Sequence, residues 1–231
     1  MINRAMTNKE LIDGKIGRLR VLYSLQDHAV ANKFYKIADD ILKGKPIILV
    51  DDMERENEGD LMIAASFATI NNIAFMARWG RGIMCLPSDG SILDRLQIPM
   101  MVPPQASTDP FNTPFTVSVD AKEGVSTGVS AADRVETIKL FLNSSSKPTD
   151  LVRPGHLFPL RTRDGLLTER RGHTEASVTL TKILGLCPVA VIVEIMNDDG
   201  TMARLPELIC LAEQHDLKIF SIAELVKELN V

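Results

Sequence analysis

Apolar residues recur along this chain in two rhythms, one helical and one strand-like. From about Asn32, the residues Phe34, Ile37, Ala38, Ile41 and Leu42 fall at helical spacing, and Gly44 supplies a stop. Pro46 leads into Ile47–Val50, an apolar run that predicts a buried strand. A second strand, Leu61–Ala65, follows a strongly acidic segment, and Thr69 can cap a helix carrying Ile73, Met76 and Ala77. Ile83–Leu86 predicts a strand and Ser91–Leu96 a short helix. Pro99–Pro114, rich in Pro, Thr and Asn, predicts a long loop. Phe115, Val117 and Val119 then alternate with polar residues, the pattern of a half-buried strand. Ser130-Ala131-Ala132-Asp133 predicts a capping box, with Asp in the usual place of Glu, ahead of a helix through Val135, Ile138 and Leu142. Ala176, Leu180, Ile183 and Leu184 mark a helix ending at Gly185, and Val189–Ile195 predicts a further buried strand. After the turn Asn197-Asp198-Asp199-Gly200, Leu205, Leu208, Ile209 and Ala212 form the next helical stripe.

Strands alternating with helices imply an α/β domain. No repeat or low-complexity linker divides the chain, so residues 21–231 read as one domain and residues 1–20 as a loosely ordered extension. The 231 residues, 45% hydrophobic and 24% charged, suffice for an ordinary globular core. A net charge of −4 gives no reason to expect a nucleic-acid binder, yet leaves room for a local basic pocket. Cys85, Cys187 and Cys210 show neither zinc spacing nor a secreted disulfide pattern, which suits a reducing cytoplasm. The start of the chain lacks an apolar signal region, and no apolar run approaches the roughly 20 residues needed to span a bilayer.

The candidate chemistry gathers in four places. Asp51–Asp60 packs six carboxylates around Arg55, between two apolar strands. Glu56, Glu58 and Asp60 at two-residue spacing would face one way on an extended chain, where they repel unless a cation sits among them. Hard divalent ions such as Mg²⁺ take such oxygen ligands; a solvated acidic turn is the plain alternative. Arg170-Arg171-Gly172-His173-Thr174-Glu175 lies just before a predicted helix, whose free N–H groups favour anions such as phosphate. His173 could serve a metal there, or Thr174 could be a mere cap and the arginines a solvated face. His156 sits within Pro154-Gly155-His156-Leu157-Phe158-Pro159, held by stiff backbone, as a functional or a structural histidine. Glu194 stands inside an apolar run, where burial raises a carboxylate pKa and suits it to proton transfer; a buried ion pair would also account for it. Gly124–Ser130 could wrap an oxyanion or form a plain turn. Cys85 reads as a buried inert thiol, and His28 and His215 as residues without a partner.

Together the acidic run 51–60, Thr127-Gly128-Val129-Ser130-Ala131-Ala132-Asp133-Arg134, the 154–160 stretch, the 170–176 strip and the segment from Glu194 to Leu208 occur in one order. In this the chain closely resembles the 3,4-dihydroxy-2-butanone 4-phosphate synthases of riboflavin biosynthesis, from about residue 28 onward. The resemblance implies a single α/β mixed-sheet domain with helices packed around the sheet and a homodimer, while cysteine usage, hydropathy and charge point to the cytoplasm and to no membrane or nucleic-acid partner. It also implies Mg²⁺ or Mn²⁺, and a lyase reaction turning D-ribulose 5-phosphate into 3,4-dihydroxy-2-butanone 4-phosphate and formate. Glu56 and His173 match the metal ligands. Arg55, Glu56, Asp60, Thr127, Arg170, Arg171, Gly172, His173, Thr174 and Glu194 match substrate-contacting positions. His156 and Glu194 match the two residues the family treats as essential, and Asp60 joins them as the candidate for the first deprotonation. The family usually has small residues, often Gly-Thr-Ala, before Phe115, so Asn112 and Pro114 should stiffen or redirect that loop. Some members carry a fused GTP cyclohydrolase II domain with a cysteine-ligated zinc; no such cluster occurs here, which reads as a monofunctional form. The rival readings are a nucleic-acid-binding module, which the acidic loop opposes, a non-catalytic homologue, and another metal-dependent sugar-phosphate enzyme.

Overall fold

A computed structural model describes residues 28–231. The expected extension at residues 1–20 lies outside the described residues. The elements run α1 (His28–Leu42), β1 (Ile47–Val50), β2 (Gly59–Ala64), α2 (Ile70–Gly80), β3 (Cys85–Ser88), α3 (Gly90–Arg95), β4 (Val119–Ala121), α4 (Ala131–Leu142), β5 (Leu151–Arg161), α5 (His173–Ile183), β6 (Ala190–Glu194), α6 (Leu205–His215), β7 (Ile219–Ser221) and α7 (Ile222–Leu229), with short 3₁₀ turns between some of them. The strands form one mixed sheet in the order β4-β5-β3-β6-β2-β1-β7. β5 pairs parallel with β3, and β1 with β7; the other neighbours are antiparallel.

The unbroken apolar runs of β1, β2 and β6 follow from a sheet covered on both faces. Ile48, Leu61, Ile63, Val191 and Val193 point into one core, with Ile73, Met76, Ile138 and Leu208 of α2, α4 and α6. Their alternates, Ile47, Leu49, Met62, Ala64, Ala190 and Ile192, pack on the other face against Phe34, Ile37, Ile41, Leu180 and Leu225 of α1, α5 and α7. The result is a three-layer arrangement of an α/β domain, the class that the alternation of elements implied.

Register places the chemistry. Asp60 stands directly opposite Glu194 across β2 and β6, on the strand face shared with Met62 and Ile192. α5 packs on that face, so its first residues meet the ends of β2 and β6.

Several elements depart from the pattern reading. Phe115–Val119 is not a regular strand: Phe115 and Thr116 make only isolated bridges, and β4 begins at Val119. The neighbouring strand offers Pro159, whose carbonyl accepts from Thr116 but which has no N–H to return. The 154–160 stretch nevertheless lies inside β5, an 11-residue strand. Ser130 does cap α4, accepting from the Asp133 N–H, but the capping box is only half built. Asp133 turns its carboxylate instead to Ser126 and to the Gly128 N–H, so the Gly124–Ser130 segment wraps this internal carboxylate. Nor is His215 alone: its ring centroid lies 4.3 Å from that of Trp79 and 5.2 Å from that of Phe75.

Candidate active site

A cavity of about 320 Å³ opens where β2 and β6 meet the start of α5. The turn after β1 forms one wall, and Asp51 organises it. Asp51 accepts hydrogen bonds from the backbone N–H groups of Glu56 (3.1 Å) and Glu58 (2.9 Å) and pairs with Arg55 (2.8 Å). Asn57 takes a positive φ of 55°, which Asn tolerates better than most residues, and Arg204 donates to the carbonyls of Glu56 and Asn57. The segment is a turn rather than an extended chain, yet Glu56, Glu58 and Asp60 all reach the cavity.

Gly172 caps α5 and His173 opens it. His173 is buried, with Nδ1 3.6 Å from Glu56 Oε2 and Nε2 4.0 Å from Asp60 Oδ1. Both separations are too long for hydrogen bonds. Asp60 Oδ1 and His173 Nε2 are in fact buried without any partner, which in a native interior marks a place for something else. Glu194 accepts the Ile83 N–H at 2.7 Å through Oε2. Arg170 pairs with the fully buried Glu175 at 2.6 Å.

The electrostatics follow from crowding. Burial pushes Asp60 up to about 7; His173 opposes this, and Glu194, Glu56 and Glu58 reinforce it. Burial also raises Glu194 and Glu58, the latter helped by Glu56. Like charges directly opposite on adjacent strands repel, so the Asp60–Glu194 register itself favours a proton on one of them. Burial would lower His173, but Asp60, Glu56 and Asp51 outweigh it and lift the imidazole to about 9. Burial likewise pushes Glu56 upward, but His173 and Arg55 hold its carboxyl below the ordinary range. Burial raises the Cys85 thiol far above its usual value, so this cavity-lining residue is a wall and not a nucleophile.

The donor set fits a divalent ion. Ligand atoms of Asp51, Glu56 and His173 lie within 4.8 Å of one another. Asp51 already receives three hydrogen bonds within its turn, which leaves Glu56 through Oε2, its other oxygen facing Arg55, and the neutral imidazole of His173 as the candidate ligands. Octahedral Mg²⁺ with ligands at about 2.1 Å puts them about 3 to 4.2 Å apart. The 3.6 Å between Glu56 and His173 is about half an ångström longer than the separation of adjacent ligands, a gap that a side-chain rotation can close.

Residues 35–228 match the 3,4-dihydroxy-2-butanone 4-phosphate synthase family. The chain belongs to that family. A 3,4-dihydroxy-2-butanone 4-phosphate synthase of Neisseria meningitidis serogroup B is 50% identical over 192 residues, covering 83% of this chain and 52% of the relative. A monofunctional riboflavin biosynthesis protein, RIBA 2, chloroplastic, of Arabidopsis thaliana is 52% identical over 189 residues, 82% of this chain and 40% of its own. The chain thus spans about half the length of the curated relatives it matches. Among solved structures, a 3,4-dihydroxy-2-butanone 4-phosphate synthase in complex with two magnesium ions aligns with TM-score 0.79 at 36% identity, covering 84% of this chain and 95% of that one. The two-domain synthase RibBX of A. baumannii aligns with TM-score 0.78 at 42% identity, covering 85% of this chain and 56% of that one.

Within this synthase-family chain the sequence-derived site residues divide. Arg55, Glu56, Asp60, Arg170, His173, Thr174 and Glu194 line one cavity, and Gly172 abuts Arg55 and Arg170. Arg171 does not join them: it is exposed and donates to the Val231 carbonyl, because successive residues entering α5 face opposite ways. Thr127 is exposed and His156 half-exposed, both away from that cavity. His156 lies four residues before the cavity residue Leu160 on β5, roughly 13 Å along a strand. Its Nδ1 is 2.7 Å from Asp120 Oδ2, and its N–H donates to the other oxygen at 2.9 Å. Asp120 also abuts Gly128, so His156, Asp120 and the 126–130 loop form a second cluster. Sequence reasoning missed Asp120, Glu175 and Phe111. A carboxylate one residue beyond the histidine-threonine pair at a buried helix start was the available signal for Glu175; Asp120 and Phe111 had none.

Proposed function

We propose that this chain converts D-ribulose 5-phosphate into 3,4-dihydroxy-2-butanone 4-phosphate and formate, as a cytoplasmic lyase of riboflavin biosynthesis dependent on Mg²⁺ or Mn²⁺. The observation that carries this reading is the buried His173 between Glu56 and Asp60, with its Nε2 and the facing Asp60 Oδ1 left unpaired. Glu56 and His173 would hold the ion, which when bound supplies Lewis-acid polarisation of the substrate's carbonyl and adjacent hydroxyls. Arg55, Arg170 and the start of α5, with Gly172 and Thr174, offer the cationic and N–H donors that suit the phosphate. Asp60, raised to about 7, is matched to accept the first carbon-bound proton near neutral pH. Glu194, opposite it, serves later transfers together with His156.

Within one chain His156 lies roughly 13 Å along β5 from the cavity residue Leu160. A homodimer in which this cluster, with Thr127, faces the partner's cavity reconciles the two groups. The tests are direct. Purified protein with D-ribulose 5-phosphate should release formate and the four-carbon phosphate in step with added Mg²⁺, and none with EDTA. Absence of formate under any divalent ion, from folded protein, would refute the activity. Normal exchange of the C3 proton in Asp60→Asn would remove Asp60 from the first step.

A further inference from the structure

We propose that Phe111 is a positioning residue of this site, holding Arg55 through its ring and Arg170 through its carbonyl. The inference rests on the proposed reading of the cavity as a sugar-phosphate site. The ring of Phe111 lies 5.3 Å from the Arg55 guanidinium. Its carbonyl accepts from Arg170 Nε at 3.1 Å, and Thr113 Oγ1 accepts from Arg170 Nη2 at 3.3 Å.

The turn bearing Phe111 is built from its own residues. The Asp109 carboxylate accepts the N–H groups of Phe111 and Thr113, and those bonds draw its pKa down against the upward push of burial. Asn112 takes a φ of 50°. Asn tolerates that left-handed backbone better than most residues, so the residue suits the turn.

Both arginines then converge on one spot. A Cβ on Gly172 would lie 2.4 Å from Arg170 Nη1 and 3.0 Å from Arg55 Nη2. Two guanidiniums sharing one stretch of bare backbone repel each other. Asp51 and Glu56 hold Arg55 through its Nη atoms, Glu175 holds Arg170, and the Phe111 ring lies beside the Arg55 guanidinium as a further, uncharged contact. Removing the ring leaves Arg55 its carboxylate partners but lets it turn toward them, away from an incoming dianion. Arg170 is unaffected by side-chain changes at position 111, because every residue there keeps its carbonyl.

The experiment compares Phe111→Leu and Phe111→Tyr in the full chain with Mg²⁺ and D-ribulose 5-phosphate, folding being checked by circular dichroism. Phe111→Leu should raise KM about five-fold and leave kcat within about two-fold, since a binding contact common to ground and transition states is lost. Phe111→Tyr should recover most of the loss, and in an Arg55→Ala background the Leu substitution should add little. Inorganic phosphate, titrated calorimetrically, should bind Phe111→Leu more weakly than the parent. A parental KM in Phe111→Leu, or a Tyr variant as impaired as Leu, would overturn the proposal. If the parent releases no formate, the sugar-phosphate reading fails. The phosphate titration then still decides the role of the ring, equal affinity in parent and Phe111→Leu counting against it.

Discussion

Two histidine–carboxylate groups sit on this fold, and their hydrogen bonding is opposite. Around His156 every acceptor has a donor: Asp120 takes both the ring nitrogen and the backbone N–H of His156, and Asp133 takes Ser126 and Gly128. Around His173 the separations are 3.6 and 4.0 Å, carboxylates face one another, and buried polar atoms have no partner. The first group is complete within one chain and presents a side chain of fixed orientation. The second is incomplete, and its polar atoms are satisfied only when something enters. Unpaired buried groups cost about 1–3 kcal/mol each, so a fold keeps them where a ligand recovers that cost.

The comparison can be broken by substitution. His173→Ala should abolish formate production, by about 1,000-fold or more given that metal polarisation is worth several kcal/mol, while stability without metal changes little or rises. A strong loss of thermal stability in EDTA would mean that His173 is a structural member like His156. Asp120→Asn should lower kcat about 10- to 100-fold, because the amide no longer fixes which nitrogen of His156 carries the proton. An unchanged kcat would show that the pairing only braces β4 against β5.

A pH titration sharpens the contrast further. Backbone and side-chain donors from Ser126 and Gly128 hold Asp133 at about 2, below the ordinary value of about 4. A depressed folded-state pKa contributes stability above about pH 4 and loses it as pH falls toward 2. Thermal melts should therefore show Asp133→Asn less stable than the parent at neutral pH, with the gap closing in acid. A gap independent of pH would place the effect in packing. Asp60 runs the other way. Its pKa is raised, so the folded state binds the proton more tightly and loses stability as pH rises from about 4 to 7. The smallest effect belongs to Arg171→Ala, an exposed side chain directed away from the cavity. KM and kcat should both stay within about two-fold, and a ten-fold rise in KM would return Arg171 to the site.

Much of this was legible in the residues. The apolar runs at 47–50 and 189–195 mark strands buried on both faces, and Thr69 and Ser130 do cap their helices. The acidic run and the strip from Arg170 to Thr174 stand out because so many charges beside buried elements need an explanation. Phe115–Val119 misled, because its alternation is real while its neighbour's Pro159 cannot complete a ladder. The role of Asp133 was hidden as well, since a local cap and a grip on a preceding loop use the same carboxylate.

Local pattern by itself determined the alternation of strands and helices, the caps, and the residue types suited to a hard cation and a phosphate. Those features depend on spacing of a few residues, where backbone geometry is set by near neighbours. Only the tertiary structure decided that Asp60 stands opposite Glu194, that His173 lies between Glu56 and Asp60, and that His156 belongs to a separate cluster. These depend on strand register and on the docking of α5 against the sheet. The contacts of Asp60 and His173 join residues more than a hundred positions apart, that of His156 with Asp120 residues 36 apart, and all need the sheet and its helices assembled.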